Sequence, residues 1–239
     1  MQKIINSLHS IFFYLFVAVT FLVGMLITMA AALFSKDKER TFQNAARIWA
    51  KLLARISRIK VKVEGMENLP HNQPVVLAAN HQSAADILIL LAYIPTYFKF
   101  VAKRELFKVP LFGSYLRLAG YIPIDRQSNL KAHKTLYDIS KLIRAGDSIL
   151  IFPEGTRTRT GELGPFKRGS LVIAQQAGVP VVPIAISGSF NIMPKGTRVI
   201  NPTKVKLSIG EPIPVEHHSM EEILNRVRSK ITSMLKEDF

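Results

Sequence analysis

The hydrophobic pattern changes texture twice along the chain. From Ile4 to Ser35 no Asp, Glu, Lys or Arg occurs, and Ile11 to Phe34 is broken only by Thr20, Gly24 and Thr28. As a helix, Ile11–Phe34 is about 36 Å long, enough to cross a hydrocarbon core of roughly 30 Å. The run is too long for a cleaved signal peptide and no clear small-residue cleavage site follows it. A buried helix of a soluble core is the alternative. Spanning the bilayer and dipping into one leaflet both fit the pattern; if it spans, the basic residues that follow put the rest of the chain in the cytoplasm. Thr20, Gly24 and Thr28 recur every fourth residue, which predicts a small-residue seam for close approach of another helix.

The second texture is amphipathic. Between Glu39 and Arg58, Phe42, Ala45, Ala46, Trp49, Leu52, Leu53 and Ile56 form one helical stripe. Arg40, Arg47, Lys51, Arg55 and Arg58 occupy the remaining surface, and no acid occurs between Arg40 and Lys62. A basic amphipathic helix with an interfacial Trp suits an anionic membrane surface; an ordinary surface helix packed on a soluble core shows the same periodicity.

From about Lys60 short β-branched runs alternate with helical patterns. Strands are predicted at 60–65, 74–80, 98–103, 121–125, 148–155, 179–188 and 204–210, and helices near 85–93, 110–119, 129–145, 167–177 and 219–236. This alternation predicts an α/β fold with a mixed, largely parallel sheet flanked by helices. The chain therefore divides into a membrane-associated two-helix segment, 1–58, and an α/β domain, 59–239. Chemistry in such sheets gathers beyond the carboxyl ends of the strands.

Composition narrows the chemistry. The chain has no Cys, which removes disulfides, thiolate metal sites and a cysteine nucleophile. With 32 Lys+Arg against 17 Asp+Glu, an anionic partner is expected. No finger, basic zipper or aromatic RNA-binding signature points to nucleic acid, so anionic lipid and a phosphorylated substrate are the stronger readings.

At "LAANHQSAAD", 77–86, an apolar strand ends in an Asn-His pair and an Asp follows five residues after the His. Ser83 and Asp86 read as a capping box, with Ser83 the N-cap. His81 lies before the helix, from where Asp86 can also reach its ring, fix the tautomer and leave the other nitrogen as a base. His9, His71, His133, His217 and His218 lack that setting. With no Cys and no G-x-S-x-G elbow, the base is expected to activate a hydroxyl of the substrate rather than of the protein. One His with one carboxylate falls short of a metal site.

A second motif, "IFPEGTRTRTGELGPFKRG" at 151–169, follows another apolar strand. Gly155 permits a tight turn, Thr156 offers a hydroxyl and Arg157 a planar fork suited to phosphate. The P-loop spacing is absent. Lys103 and Arg104 after "FKFV", and Arg126 after "YIPID", add basic residues at strand ends. Together these predict a phosphate pocket, although the same residues can make a basic surface loop.

"NHQSAAD" resembles the His-x4-Asp block of the glycerolipid acyltransferases, and "FPEGTR" their Glu-Gly-Thr-Arg block. "KRELFKVPLFG" with "GYIPIDR", and "VPVVPIAISG", resemble their other two blocks, in the same order over roughly 60–215. The set is most similar to the bacterial members that convert 1-acylglycerol-3-phosphate (lysophosphatidate) to phosphatidate. The resemblance implies a glycerol-3-phosphate acyltransferase-like fold and His81 as general base on the free glycerol hydroxyl, oriented by Asp86. It implies that Lys103 and Arg157, with Arg126, hold the phosphate; Glu154 is grouped with Gly155, Thr156 and Arg157 in the substrate-binding loop but read as structural there. It also implies no metal or resident cofactor, acyl-CoA or acyl-carrier protein as donor, and a place on the cytoplasmic face of the cell inner membrane. Alternatives are an acyltransferase for glycerol-3-phosphate or another lysolipid, and a non-catalytic basic membrane adaptor.

Overall fold

A computed structural model of the chain describes residues 2–125, 129–194, 196–197 and 199–236. Two helices come first, α1 (Gln2–Leu33) and α2 (Lys38–Ile56), and the rest alternates. The strands are β1 (Lys60–Glu64), β2 (Val76–Ala79), β3 (Lys99–Lys103), β4 (Ile122–Ile124), β5 (Ile149–Ile151), β6 (Val181–Ser187) and β7 (Lys204–Ile209). The remaining helices are α3 (Ala85–Tyr93), α4 (Phe112–Leu118), α5 (Asn129–Arg144), α6 (Val172–Ala177) and α7 (Met220–Lys236). One sheet results, ordered β1-β7-β6-β2-β5-β3-β4, and every pairing is parallel except β6 with β7.

Each expected strand forms; the central β2, β5 and β6 are apolar runs buried on both faces throughout, while β1, β3 and β4 nearer the edges are only partly covered. Most elements are trimmed by a residue or two at their ends, and β5 and α6 are shortened most. β5 stops at Ile151; Pro153 has no N–H for a ladder, and the Gly155 amide closes a turn on the Phe152 carbonyl at 2.9 Å. α6 starts at Val172 rather than 167, since both the amide and hydroxyl of Ser170 fold back on the Lys167 carbonyl.

The parallel order decides the site. β2, β5 and β3 are neighbours pointing the same way, so the segments that follow them share one edge. His81 leaves β2, Phe152 to Arg157 leave β5, and Lys103 ends β3. Positions more than 70 residues apart are thus brought together by topology.

The first two helices are continuous with the core of the α/β part. Phe42, Ala50 and Leu53 of α2 are buried in the same apolar cluster as Ile89 and Leu90 of α3. Gln43 donates to the Ala119 carbonyl at 3.0 Å, and Tyr115 donates to the Phe42 carbonyl at 2.7 Å. A cut between 58 and 59 would open that core.

Several basic and aromatic positions of α2 therefore face protein. Arg47, expected on a lipid-facing surface, donates to the carbonyls of Ile94 and Thr96 beyond α3. Trp49 is half-buried; its indole donates to Thr20 Oγ1 at 2.9 Å and its ring lies 5.7 Å from that of Phe21. Leu52 departs from the expected stripe and is exposed, while Lys51, Arg55 and Arg58 stay on the outer face. The predicted seam is used at Thr20, but a Cβ built on Gly24 would meet nothing within 4 Å, so close approach is not what Gly24 provides.

On the opposite sheet edge, Lys99 is buried between Glu39 at the start of α2 (2.7 Å) and Asp147 before β5 (2.9 Å). Burial pulls its pKa down, but the two carboxylates outweigh burial and hold it above the ordinary lysine value. A raised lysine pKa gives stability that is complete below the unfolded value and lost as pH climbs through the folded one. At neutral pH, Lys99→Met should therefore cost about 2 kcal/mol, because two carboxylates lose a shared cation. Denaturant unfolding of the detergent-solubilised protein checks this; an unchanged midpoint would show that the bridge is not stabilising.

Candidate active site

β2 delivers its last residues into a short loop that is held on every side. Asn80 extends the sheet with its side chain, donating to the Ile186 carbonyl at 3.0 Å and accepting from the Ile186 amide at 2.7 Å. One residue later, His81 Nδ1 lies 2.8 Å from Asp86 Oδ2. That oxygen also accepts the amides of Gln82 (2.7 Å) and Ser83 (2.8 Å).

Asp86 is fully buried, and the oxygen that faces His81 is also met by these two amides just ahead of α3, with no Lys or Arg among the described residues paired to it. The expected capping box is half present. Asp86 reaches back to the Ser83 amide as predicted, but α3 begins at Ala85 after Ala84, and the Ser83 hydroxyl accepts the Ala85 amide at 3.3 Å. Capping and orienting the imidazole are done by one carboxylate oxygen.

Glu154 does not line the cleft. It is buried, with Oε1 accepting the His81 amide at 2.7 Å and Oε2 the Gly164 amide at 2.8 Å. Its place in the substrate-binding group is corrected to that of a loop brace, in accord with its structural reading: both oxygens are already spent on backbone. Burial pushes its carboxyl pKa up, and the two amides pull partly against it. With the Thr158 amide on the His81 carbonyl at 2.9 Å, the two motif loops are tied to each other around the imidazole.

Phe152 was not singled out by the sequence. Its ring stacks on that of His81 with centroids 3.9 Å apart and 16° between planes. Its position between strand and Pro153 was the available signal: the first residue past a buried strand faces the catalytic edge.

A cleft of about 470 Å³ opens beside His81. His81, Lys103, Thr156 and Arg157 line it together, and Leu88, Leu91, Phe100, Leu116 and Tyr121 are among its apolar walls. Gly155 turns the chain at φ +71°, where a side chain is strained, and a Cβ there would press on Lys167 at 2.7 Å. Lys103 is exposed and lies 3.5 Å from Glu105. Arg126 falls outside the described residues. Among those described, the structure thus gathers His81, Lys103, Thr156 and Arg157 on one cleft with apolar walls, and Asp86 is buried behind the imidazole it holds.

Residues 60–187 match the family model described as Acyltransferase. The chloroplastic 1-acyl-sn-glycerol-3-phosphate acyltransferase of Arabidopsis thaliana is 34% identical over 98% of this chain and 66% of its own length. The alpha form of 1-acyl-sn-glycerol-3-phosphate acyltransferase from Homo sapiens is 33% identical over 75% of this chain and 65% of its own. The chain thus spans about two thirds of the length of these curated relatives. The crystal structure of the 1-acyl-sn-glycerophosphate acyltransferase of Thermotoga maritima is similar with a TM-score of 0.87 at 30% identity, covering 99% of this chain and 98% of that one.

Proposed function

This chain belongs to the Acyltransferase family, and on that premise we propose that it acylates the sn-2 hydroxyl of 1-acylglycerol-3-phosphate to give phosphatidate. The observation that carries the reading is the His81–Asp86 pair, 2.8 Å apart, with His81 lining a largely apolar cleft that Lys103 and Arg157 also line. The names of the relatives support the same acceptor.

With Nδ1 bonded to Asp86, Nε2 of His81 is the nitrogen left for chemistry. It takes the proton of the sn-2 hydroxyl as the oxygen attacks the thioester carbonyl. A C–O bond forms, the C–S bond breaks, and the proton passes from Nε2 to the departing sulfur. The Asp86 carboxylate stabilises the imidazolium between those two transfers. Arg157 and Lys103, with Arg126, hold the acceptor phosphate, and the thioester is acyl-CoA or acyl-carrier protein. No step requires a metal or a resident cofactor. The direct test is a product assay with membranes carrying the protein, lysophosphatidate and a radiolabelled acyl thioester. Labelled phosphatidate is the expected product; no turnover with any thioester would favour a non-catalytic adaptor.

We propose a place on the cytoplasmic face of the cell inner membrane, as the resemblance implies; what supports the membrane part of this reading is α1. α1 has an apolar outer face, with Leu15, Leu26 and Leu33 each more than 60% exposed. Its inner face meets protein from Ser10, which accepts the Ile200 amide at 2.8 Å, to the buried Ala32. The protein packed along that inner face includes irregular backbone after β6, which hydrocarbon does not tolerate; this supports α1 lying within the near leaflet rather than spanning. High salt should leave the chain on membranes, since screening spares apolar burial. Leu15→Asp with Leu26→Asp should release it with its fold intact, at roughly 3 kcal/mol per charge. Flotation with vesicles measures both; salt extraction of the wild type would overturn the insertion.

A further inference from the structure

A second apolar cavity, about 180 Å³, lies between α1, α2, the start of α3 and the segment after β6. Tyr14 and Val17 form its α1 wall, Leu53 its α2 wall, and Ile192 and Met193 the side opposite. Trp49, Ala84 and Leu88 line this cavity and the larger cleft alike, so these three side chains are the partition between them. The partition is fixed: the Trp49 indole donates to Thr20 Oγ1 at 2.9 Å. The far wall is fixed as well, because the Met193 carbonyl accepts from the Ser83 hydroxyl at 3.2 Å and its sulfur from Tyr14 at 3.3 Å.

The proposed reaction, on which this inference rests, brings together two hydrocarbon chains, one on the donor and one already on the acceptor. We infer that the smaller cavity receives the proximal part of the acceptor's own acyl chain. His81 lines only the larger cleft, so the donor carbonyl and the chain trailing from it belong there. A donor carried through water needs its whole chain sheltered at once, which about 180 Å³ cannot do. The acceptor differs on both counts. Its chain hangs from C1, the neighbour of the carbon that bears the reacting oxygen, and therefore departs beside His81, near Ala84, which lines both spaces. Its far end needs no enclosure, because the outer face of α1 lies in lipid and the tail can stay there. Trp49 keeps the two chains apart.

The test is acceptor selectivity in the full-length protein. Val17→Trp fills the smaller cavity from α1, and Met193→Trp fills it from the opposite wall, so one serves if the other does not fold. Each methylene kept out of an apolar site is worth roughly fourfold in binding. Excluding two or more should lower the ratio of kcat/KM for a long-chain lysophosphatidate over its 1-acetyl analogue, which has no methylenes to place in the cavity, at least about tenfold, while the donor chain-length preference stays that of the wild type. Leu91→Trp, in the larger cleft, should shift the donor preference instead. A changed donor preference in Val17→Trp or Met193→Trp, or an acceptor ratio equal to that of the wild type, overturns the assignment. Wild-type turnover in the same series separates the two levels: if no lysophosphatidate is acylated the functional reading fails and this inference with it, whereas normal wild-type turnover with an unaltered ratio overturns this inference alone.

Discussion

Replacing His81 with alanine should lower phosphatidate formation by roughly 10²–10⁴-fold, the usual range for loss of a positioned general base. Membrane binding should change little, because His81 lines the inner cleft and is not on the exposed face of α1. The companion substitution is more diagnostic. Asp86 Oδ2 accepts the imidazole and two backbone amides, whereas Oδ1 is buried without a partner. In Asp86→Asn the amide oxygen can therefore keep the Oδ2 position and its NH₂ can take the other. The loop keeps its hydrogen bonds and His81 its tautomer; what disappears is the negative charge beside the imidazolium. Turnover should drop far more than stability, which loses only about 1–3 kcal/mol because the buried NH₂ finds no acceptor. Steady-state rates with saturating donor, beside thermal unfolding of each variant, decide the matter. Near-normal turnover in His81→Ala would remove His81 from the chemistry.

Much of this was legible from residue order. Runs such as 179–188 are too short and too β-branched for helices, and His81 and Arg157 both follow such runs, so their meeting at one sheet edge was foreseeable once a parallel sheet was inferred. The antiparallel β6–β7 step was not, because no local pattern encodes which way a strand is inserted. The amphipathic α2 shows a deeper limit. Its stripe predicts burial of one face but cannot say whether lipid or protein buries it, and Trp49 and Arg47 turned out to face protein. Glu154 illustrates the converse. A carboxylate in a motif invites a chemical role, and only the His81 and Gly164 amides on its two oxygens reveal a brace. The cavities were invisible in sequence, since each wall is assembled from helices and strands far apart in the chain.

Arg157→Lys should raise the Michaelis constant for lysophosphatidate by roughly one to two orders of magnitude, the scale of a lost charge-assisted hydrogen bond. Charge is retained in this change; geometry is not. A guanidinium presents paired N–H groups to two phosphate oxygens, and an ammonium is a point charge on a flexible stem. Arg157 follows the turn at Gly155 and lines the cleft with Lys103 and His81, which is where the phosphate would sit if the sn-2 hydroxyl is at the imidazole. A monoacylglycerol, which lacks only the phosphate, should be a poor acceptor for the wild type. It should also be nearly indifferent to Arg157→Lys, because the contact that the substitution weakens was never made. The measurement is acceptor saturation for both proteins with both lipids at fixed salt and donor. Equal losses on the two acceptors would mean that Arg157 maintains the loop that Glu154 braces, and the phosphate would have to be held elsewhere.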